Sequence, residues 1–157
     1  MVTWTLTNLA YSSSEDSHLL NKCGATCKLI ELIRQTCDLN VRDQAMWTLS
    51  NVAGDCATCR TFLLDMGFLD LLVSLLDEWT APICELIIQH DSGLHAGSRP
   101  ESRRTAVWAV SNMCRGRIAA YNERYAMLVP VLARLRDNFI HEKELMVELC
   151  WVGQCFT

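Results

Sequence analysis

The sequence predicts an all-α solenoid, a stack of short helical units, and three observations carry that prediction. A tryptophan motif recurs along the chain, glycines fall in phase with it, and apolar residues recur three and four positions apart with no strand-type alternation. The motif reads Trp4-Thr5-Leu6-Thr7-Asn8, Trp47-Thr48-Leu49-Ser50-Asn51 and Trp108-Ala109-Val110-Ser111-Asn112, and Trp151-Val152-Gly153-Gln154-Cys155 keeps the tryptophan but loses the asparagine. The tryptophans are spaced 43, 61 and 43 residues apart, so two intervals agree and the middle one carries 18 extra residues. Gly24 and Gly67 each follow their tryptophan by 20 residues, where a turn between helices is needed.

A period near 40 residues built only from helices is that of HEAT and armadillo arrays, in which each unit buries one face on the unit before it. The expectation is one array over residues 1–157, with about three to four repeats and incomplete ends. Taken in order, the Trp4 segment is a helix, and Ser12-Ser13-Ser14-Glu15-Asp16 is a polar loop open to phosphorylation. Gly24 then precedes the apolar helical run Lys28 to Ile33. The next helix, over 44–55, carries the second motif, and Gly67 precedes the run Leu69 to Leu76. The long interval is assigned to residues 79–102. There Ala81 to Gln89 prolongs a helix with Pro82 in its first turn, and Asp91 to Ser102 forms a surface loop rich in turn residues. A helix begins again around Arg103 and carries the third motif, and the last motif closes the chain.

The motif helices carry two stripes. At about 100° per residue from Gln44, Trp47, Asn51 and Asp55 fall at about 300°, 340° and 20°, whereas Ala45, Leu49 and Val52 fall at about 100°, 140° and 80°. The second set is a core face. The first is a line of aromatic, amide and carboxylate groups beside it. Glu144, Glu148, Trp151 and Cys155 align in the same way, as do Trp108, Asn112 and Arg115. Stacked side by side, such helices make a ladder suited to an extended peptide. Asparagine can bond a peptide main chain whatever its sequence, and indole faces accept the stems of Lys and Arg, with cation–π attraction of about 0.5–2 kcal/mol each. Carboxylates at Asp55, Glu144 and Glu148 favour positive side chains, so the ligand expected is an extended basic peptide. A lone tryptophan at helical spacing is more often core, but three copies of the pair off the core stripe argue against packing alone.

Composition narrows the alternatives. Fourteen basic residues face 18 acidic ones, for a formal charge of −4 and a pI near 5.5, which speaks against nucleic acid as partner. Half the residues are hydrophobic and 20% are charged, as in a folded domain. The longest uncharged stretch, Met1 to Ser14, is too short and too polar to span a bilayer, and the N-terminus lacks the pattern of a secretory signal. An intracellular chain with no membrane partner is expected, its nine cysteines reduced. Cys56-Ala57-Thr58-Cys59 has the spacing of metal and redox sites, but no second pair exists and the nearest histidines in sequence, His18 and His90, lie more than 30 residues away, so neither metal nor cofactor is expected. Cys23 and Cys27, across the Gly24 turn, read the same way. No nucleophile elbow, phosphate-binding glycine loop or zinc-protease motif is present, and His90 and His95 fall in or beside the loop, so no enzymatic activity is expected.

The segments Trp47 to Asp55 and Trp108 to Gly116 resemble the third helices of successive armadillo repeats in the importin-α (karyopherin-α) family, the adaptors that read nuclear localization signals. The resemblance covers nearly the whole chain outside residues 79–102. It implies that Trp4, Trp47 and Trp108 sandwich signal side chains and that Asn8, Asn51 and Asn112 clamp the signal's backbone. It implies that Asp55 salt-bridges the signal's most demanding lysine, with Ser17 in place of a nearby threonine and Gln44 lining the site. Arg115 matches an arginine on the same surface, and Glu144 and Glu148 match acidic residues at the far end of the groove, Glu148 standing for an aspartate. Trp151 follows as the last tryptophan, and Cys155 stands where a tyrosine is usual. The expected partners are basic signal peptides of cargo proteins, with importin-β only through a basic segment preceding the repeats, and the expected location is cytoplasm and nucleus. Two other readings stay open: an armadillo scaffold or truncated non-transporting relative serving other protein contacts, and a thiol or zinc protein built on Cys56 and Cys59. Because both ends cut through repeats, the isolated chain is expected to be marginally stable. Unfolding followed by circular dichroism should show a midpoint below about 65 °C.

Overall fold

The computed structural model describes residues 2–81, 99–116 and 122–155, and every regular element among them is a helix. In chain order these are α1 (Val2–Ser12), α2 (Ser14–Lys22), α3 (Ala25–Gln35), α4 (Leu39–Asp55), α5 (Ala57–Asp65), α6 (Phe68–Thr80), α7 (Pro100–Met113), α8 (Asn122–Ala126), α9 (Leu128–Asn138) and α10 (Lys143–Gln154). The four tryptophan motifs lie on α1, α4, α7 and α10, which pack in that order, each on the one before. The intervening helices form a second layer behind them, with α3 against α4, α6 against α7, and α9 against α6 and α10. This is an armadillo-type α-solenoid, and the core lies between the two layers.

The periodicities become burial in a direct way. Ala45, Leu49 and Val52 of α4 are fully buried, as are Leu29, Ile30 and Ile33 of α3 and Leu69, Leu72 and Leu76 of α6. Each buried Leu or Ile side chain contributes about 1.5–3 kcal/mol by leaving water. Helix starts follow from local chemistry. The Asp38 carboxylate accepts from the Asn40 and Val41 N–H groups at 2.9 and 3.3 Å and caps α4. Gly24 and Gly67, at φ 77° and 76°, turn the chain into α3 and α6 through the left-handed region that a side chain disfavours.

Two expected boundaries move. Ser14, Glu15 and Asp16 are the first turn of α2 instead of loop, because the Ser13 hydroxyl accepts from the Asp16 N–H at 3.2 Å and both acids sit at the positive end of the helix dipole. The expected loop through Ser102 ends sooner, since Pro100 occupies the first turn of α7. Trp79 and Thr80, assigned to the insertion, close α6 as buried residues. The expected helical stretch through Gln89 and most of the loop, with His90 and His95, lie outside the described residues.

The start of α7 is fastened from both sides. Asp43 on α4 accepts from Arg99 Nη2 at 2.9 Å and Ser102 Oγ at 2.8 Å. The buried Arg103 guanidinium pairs with Glu142 just before α10 and stacks 3.9 Å from the centre of the Phe139 ring. α7 is thereby registered against both neighbours.

Two glycines offer substitutions of opposite sign. Gly24→Ala meets no atom but must hold a positive φ, and should destabilise by about 1 kcal/mol; Gly153→Ala, on α10 and equally open, should stabilise by about 0.5 kcal/mol in chemical denaturation.

Candidate functional site

The stacking of α1, α4, α7 and α10 sets their outer stripes side by side along one face. Trp4, Trp47 and Trp151 stand 62%, 48% and 57% exposed, and Trp108 is half-buried. Aromatic rings of this size are normally withdrawn from water. The spacing is uneven, however. Trp47 and Trp108 meet edge to face with ring centres 6.4 Å apart, which closes the interval between α4 and α7 to a further aromatic group. Between Trp108 and Trp151 the face opens into a cleft of about 600 Å³, also lined by Arg115, Glu148 and Cys155. Smaller hollows flank the Trp47–Trp108 contact. One, of about 290 Å³, joins both rings to Arg104 and Glu148, and the other, of about 220 Å³, joins Tyr11, Asn51, Asp55, Trp108 and Arg115.

The amides divide their duties. Asn112 Nδ2 donates to the Ser50 carbonyl at 3.0 Å, and Asn51 Nδ2 points to the Thr7 carbonyl at 3.5 Å, so each ties its helix to the previous motif helix. Asn112 is only 3% exposed and rests on Gly54, where a Cβ would come within 3.3 Å of its amide nitrogen. Its amide nitrogen is committed to the α4–α7 seam, while the side chain still lines the hollow beside Asp55. Asn51 is half-buried and Asn8 exposed, so both keep donor and acceptor capacity toward the face. Gln44 is half-buried and its Oε1 accepts from Thr7 Oγ1 at 3.4 Å, beside a 2.7 Å contact between the Thr7 and Thr48 hydroxyls.

Ser17 also departs from the expectation. It is fully buried, with its hydroxyl donating to the Ala10 carbonyl at 3.4 Å, because the α1–α2 corner folds over it. The residue that reaches the stripe is Ser14, one turn earlier, whose Oγ donates to Asp55 Oδ1 at 2.6 Å. Sequence reasoning missed it because Ser14 read as loop. Tyr11 was also missed, although it lies seven residues beyond Trp4 and so on the same side of α1.

The charges partly offset one another. Asp55 and Glu144 are exposed, and Glu144 pairs with Arg104 at 3.2 Å. Arg115 Nη1 reaches the Gly54 carbonyl at 3.5 Å. Among the described residues, Glu148 has no such ion-pair partner at close range. Burial raises its carboxyl above the ordinary value of 4.5, and Arg104 pulls it back only in part.

The pair Cys56 and Cys59 overturns the argument that no histidine is at hand. α2 places His18 beside them, and the three ligating atoms lie within 4.8 Å of one another.

The fold and the face define an armadillo-repeat array with an exposed tryptophan ladder. No family-level sequence profile matches the chain. It is similar to importin subunit alpha-2 of Arabidopsis thaliana, 33% identical over 94% of this chain, and to importin subunit alpha-1b of Oryza sativa subsp. japonica, 31% identical over 94%. In each case it spans 24% of the relative's length. Among solved structures, an engineered protein superposes with a TM-score of 0.74 at 21% identity, covering 96% of this chain and 52% of that one. A designed armadillo repeat protein superposes with 0.73 at 20%, covering 96% and 54%. Over nearly its whole length the chain is thus an armadillo-repeat array similar to a part of importin-α subunits.

A raised carboxyl costs stability once ionised. The folded chain holds the Glu148 proton more tightly than the unfolded one, so its contribution is fully present below the ordinary pH of 4.5 and is lost as pH rises through the higher folded value. Glu148→Gln should therefore raise the unfolding temperature at pH 7, and the gain should vanish near pH 4, as read by circular dichroism melts across that range.

Proposed function

We propose that the α1–α4–α7–α10 face receives extended Lys/Arg-rich peptides of the nuclear-localization-signal type, as the cargo-reading part of nuclear protein import. The observation that carries this reading is the exposed tryptophan ladder with carboxylates beside it, Asp55 at one end and Glu148 at the other. The cleft between Trp108 and Trp151 is wider than the hollows flanking Trp47, and a lysine or arginine stem lying between those rings would direct its charge toward Glu148. Asp55, held by the Ser14 hydroxyl, offers its second oxygen to another cation. Asn8 and Asn51 supply main-chain bonds of about 0.5–1.5 kcal/mol each.

Two comparisons support the reading. The relatives carry the name importin subunit alpha. A designed armadillo repeat protein, 22% identical with a TM-score of 0.52 and covering 96% of this chain and 72% of that one, has been solved in complex with the peptide (KR)4. On this reading the chain works in cytoplasm and nucleus, and among its described residues no helix is long and apolar enough to cross a membrane.

Fluorescence anisotropy of a labelled Lys-rich signal peptide tests the assignment. Asp55→Ala should weaken binding by about 10- to 100-fold through loss of a charge-assisted contact, and Trp151→Ala by about 2- to 30-fold. Changing the peptide's key lysine to Ala should erase most of the Asp55 effect. Absence of binding by a helical, folded chain would remove the site assignment and leave the scaffold reading.

A further inference from the structure

We propose that His18, Cys56 and Cys59 form a binding site for a soft or borderline d10 cation of the zinc type, which joins α2 to the corner between α4 and α5. The three donors come from separate parts of the chain and converge on one point. Cys56 is the residue between α4 and α5, where its sulfur accepts from the Cys59 N–H at 3.1 Å and caps α5. Cys59 lies one turn inside α5 and is fully buried. His18 arrives from α2, its Nε2 at 3.7 Å from Cys56 Sγ and its Nδ1 at 3.9 Å from Cys59 Sγ.

These separations suit a metal. Zinc–sulfur bonds of about 2.3 Å and zinc–nitrogen bonds of about 2.0–2.1 Å, at tetrahedral angles, put sulfur and nitrogen about 3.6 Å apart and the two sulfurs about 3.8 Å apart. A metal takes one ring nitrogen: Nε2 is already at this distance from Cys56 Sγ, and one donor atom from each of the three residues lies within 4.8 Å of the others, so a small turn of the His18 ring completes the set. The sulfurs stand 2.7 Å apart and must separate by about 1 Å, which rotation of the half-buried Cys56 side chain can supply. Two thiolates and an imidazole select zinc-type or cuprous ions over magnesium or calcium, and three protein donors leave a fourth position for water. Asp55 adds negative charge beside the site.

Proton balance follows from the surroundings. Burial pushes the Cys59 thiol up to about 12, so it is a metal that draws the proton off Cys59. On binding, two S–H bonds are replaced by two metal–sulfur bonds, two protons pass to solvent, and His18 enters as the neutral ring with one nitrogen on the metal. The site does not depend on the peptide face for its function, although Asp55 adjoins both.

The full chain, kept reduced with a phosphine, should bind one equivalent of Zn2+ in equilibrium dialysis, with a rise in unfolding temperature. Substitution by Co2+ should give thiolate-to-cobalt charge-transfer bands and the visible bands of a tetrahedral centre. His18→Asn, which leaves the buried thiol untouched, and Cys56→Ser should each weaken binding by at least about 10-fold, while Cys37→Ser, at an exposed cysteine elsewhere, should not. The proposal is overturned if the reduced wild type binds no stoichiometric Zn2+, if His18→Asn folds and binds as tightly as wild type, or if the cobalt form lacks thiolate bands.

Discussion

Close packing of the four motif helices is the constraint on which the rest of this molecule depends. Small and polar residues make the contact at its groove edge: Gly54 against Asn112, Asn112 to the Ser50 carbonyl, Asn51 to the Thr7 carbonyl, and Thr7 against Thr48. An amide that bonds the neighbouring helix's main chain fixes both the distance and the register of the pair. A larger side chain at Gly54 would push Asn112 away and open the seam. Because the register is fixed, tryptophans one repeat apart in sequence become neighbours in space.

That packing also distributes the face unevenly. Where α4 meets α7 the indoles touch edge to face, and the room for a ligand lies beyond them, between Trp108 and Trp151. Glu148 sits in that opening with its carboxyl raised by burial, while the more exposed Glu144 is already paired with Arg104. A half-buried, weakly compensated carboxylate destabilises the ligand-free chain and is open to an incoming cation, so stability and ligand affinity pull in opposite directions at this residue.

The second layer does more than fill space. α2 begins at a serine cap, sends Ser14 to Asp55, and one turn later sends His18 to the cysteine pair at the start of α5. Residues four apart on one helical face thus serve the groove and the corner behind it. The position of Asp55 is set by the first and third helices of one repeat, α2 and α4.

The sequence by itself determined the solenoid, its phase and its two stripes, because a helix of fixed pitch turns residue spacing directly into faces. Ala45, Leu49 and Val52 had to be core, and Trp47 had to stand apart from them. Only the tertiary structure decided what the stripe residues do once helices meet. It buried Ser17 under the α1–α2 corner and Asn112 in the seam, gave Asp55 its serine partner, and brought His18 to cysteines 38 and 41 residues away. Those outcomes depend on which surfaces of successive repeats face each other and how closely, and such distances are set by stacking between units, not by the order of residues within one.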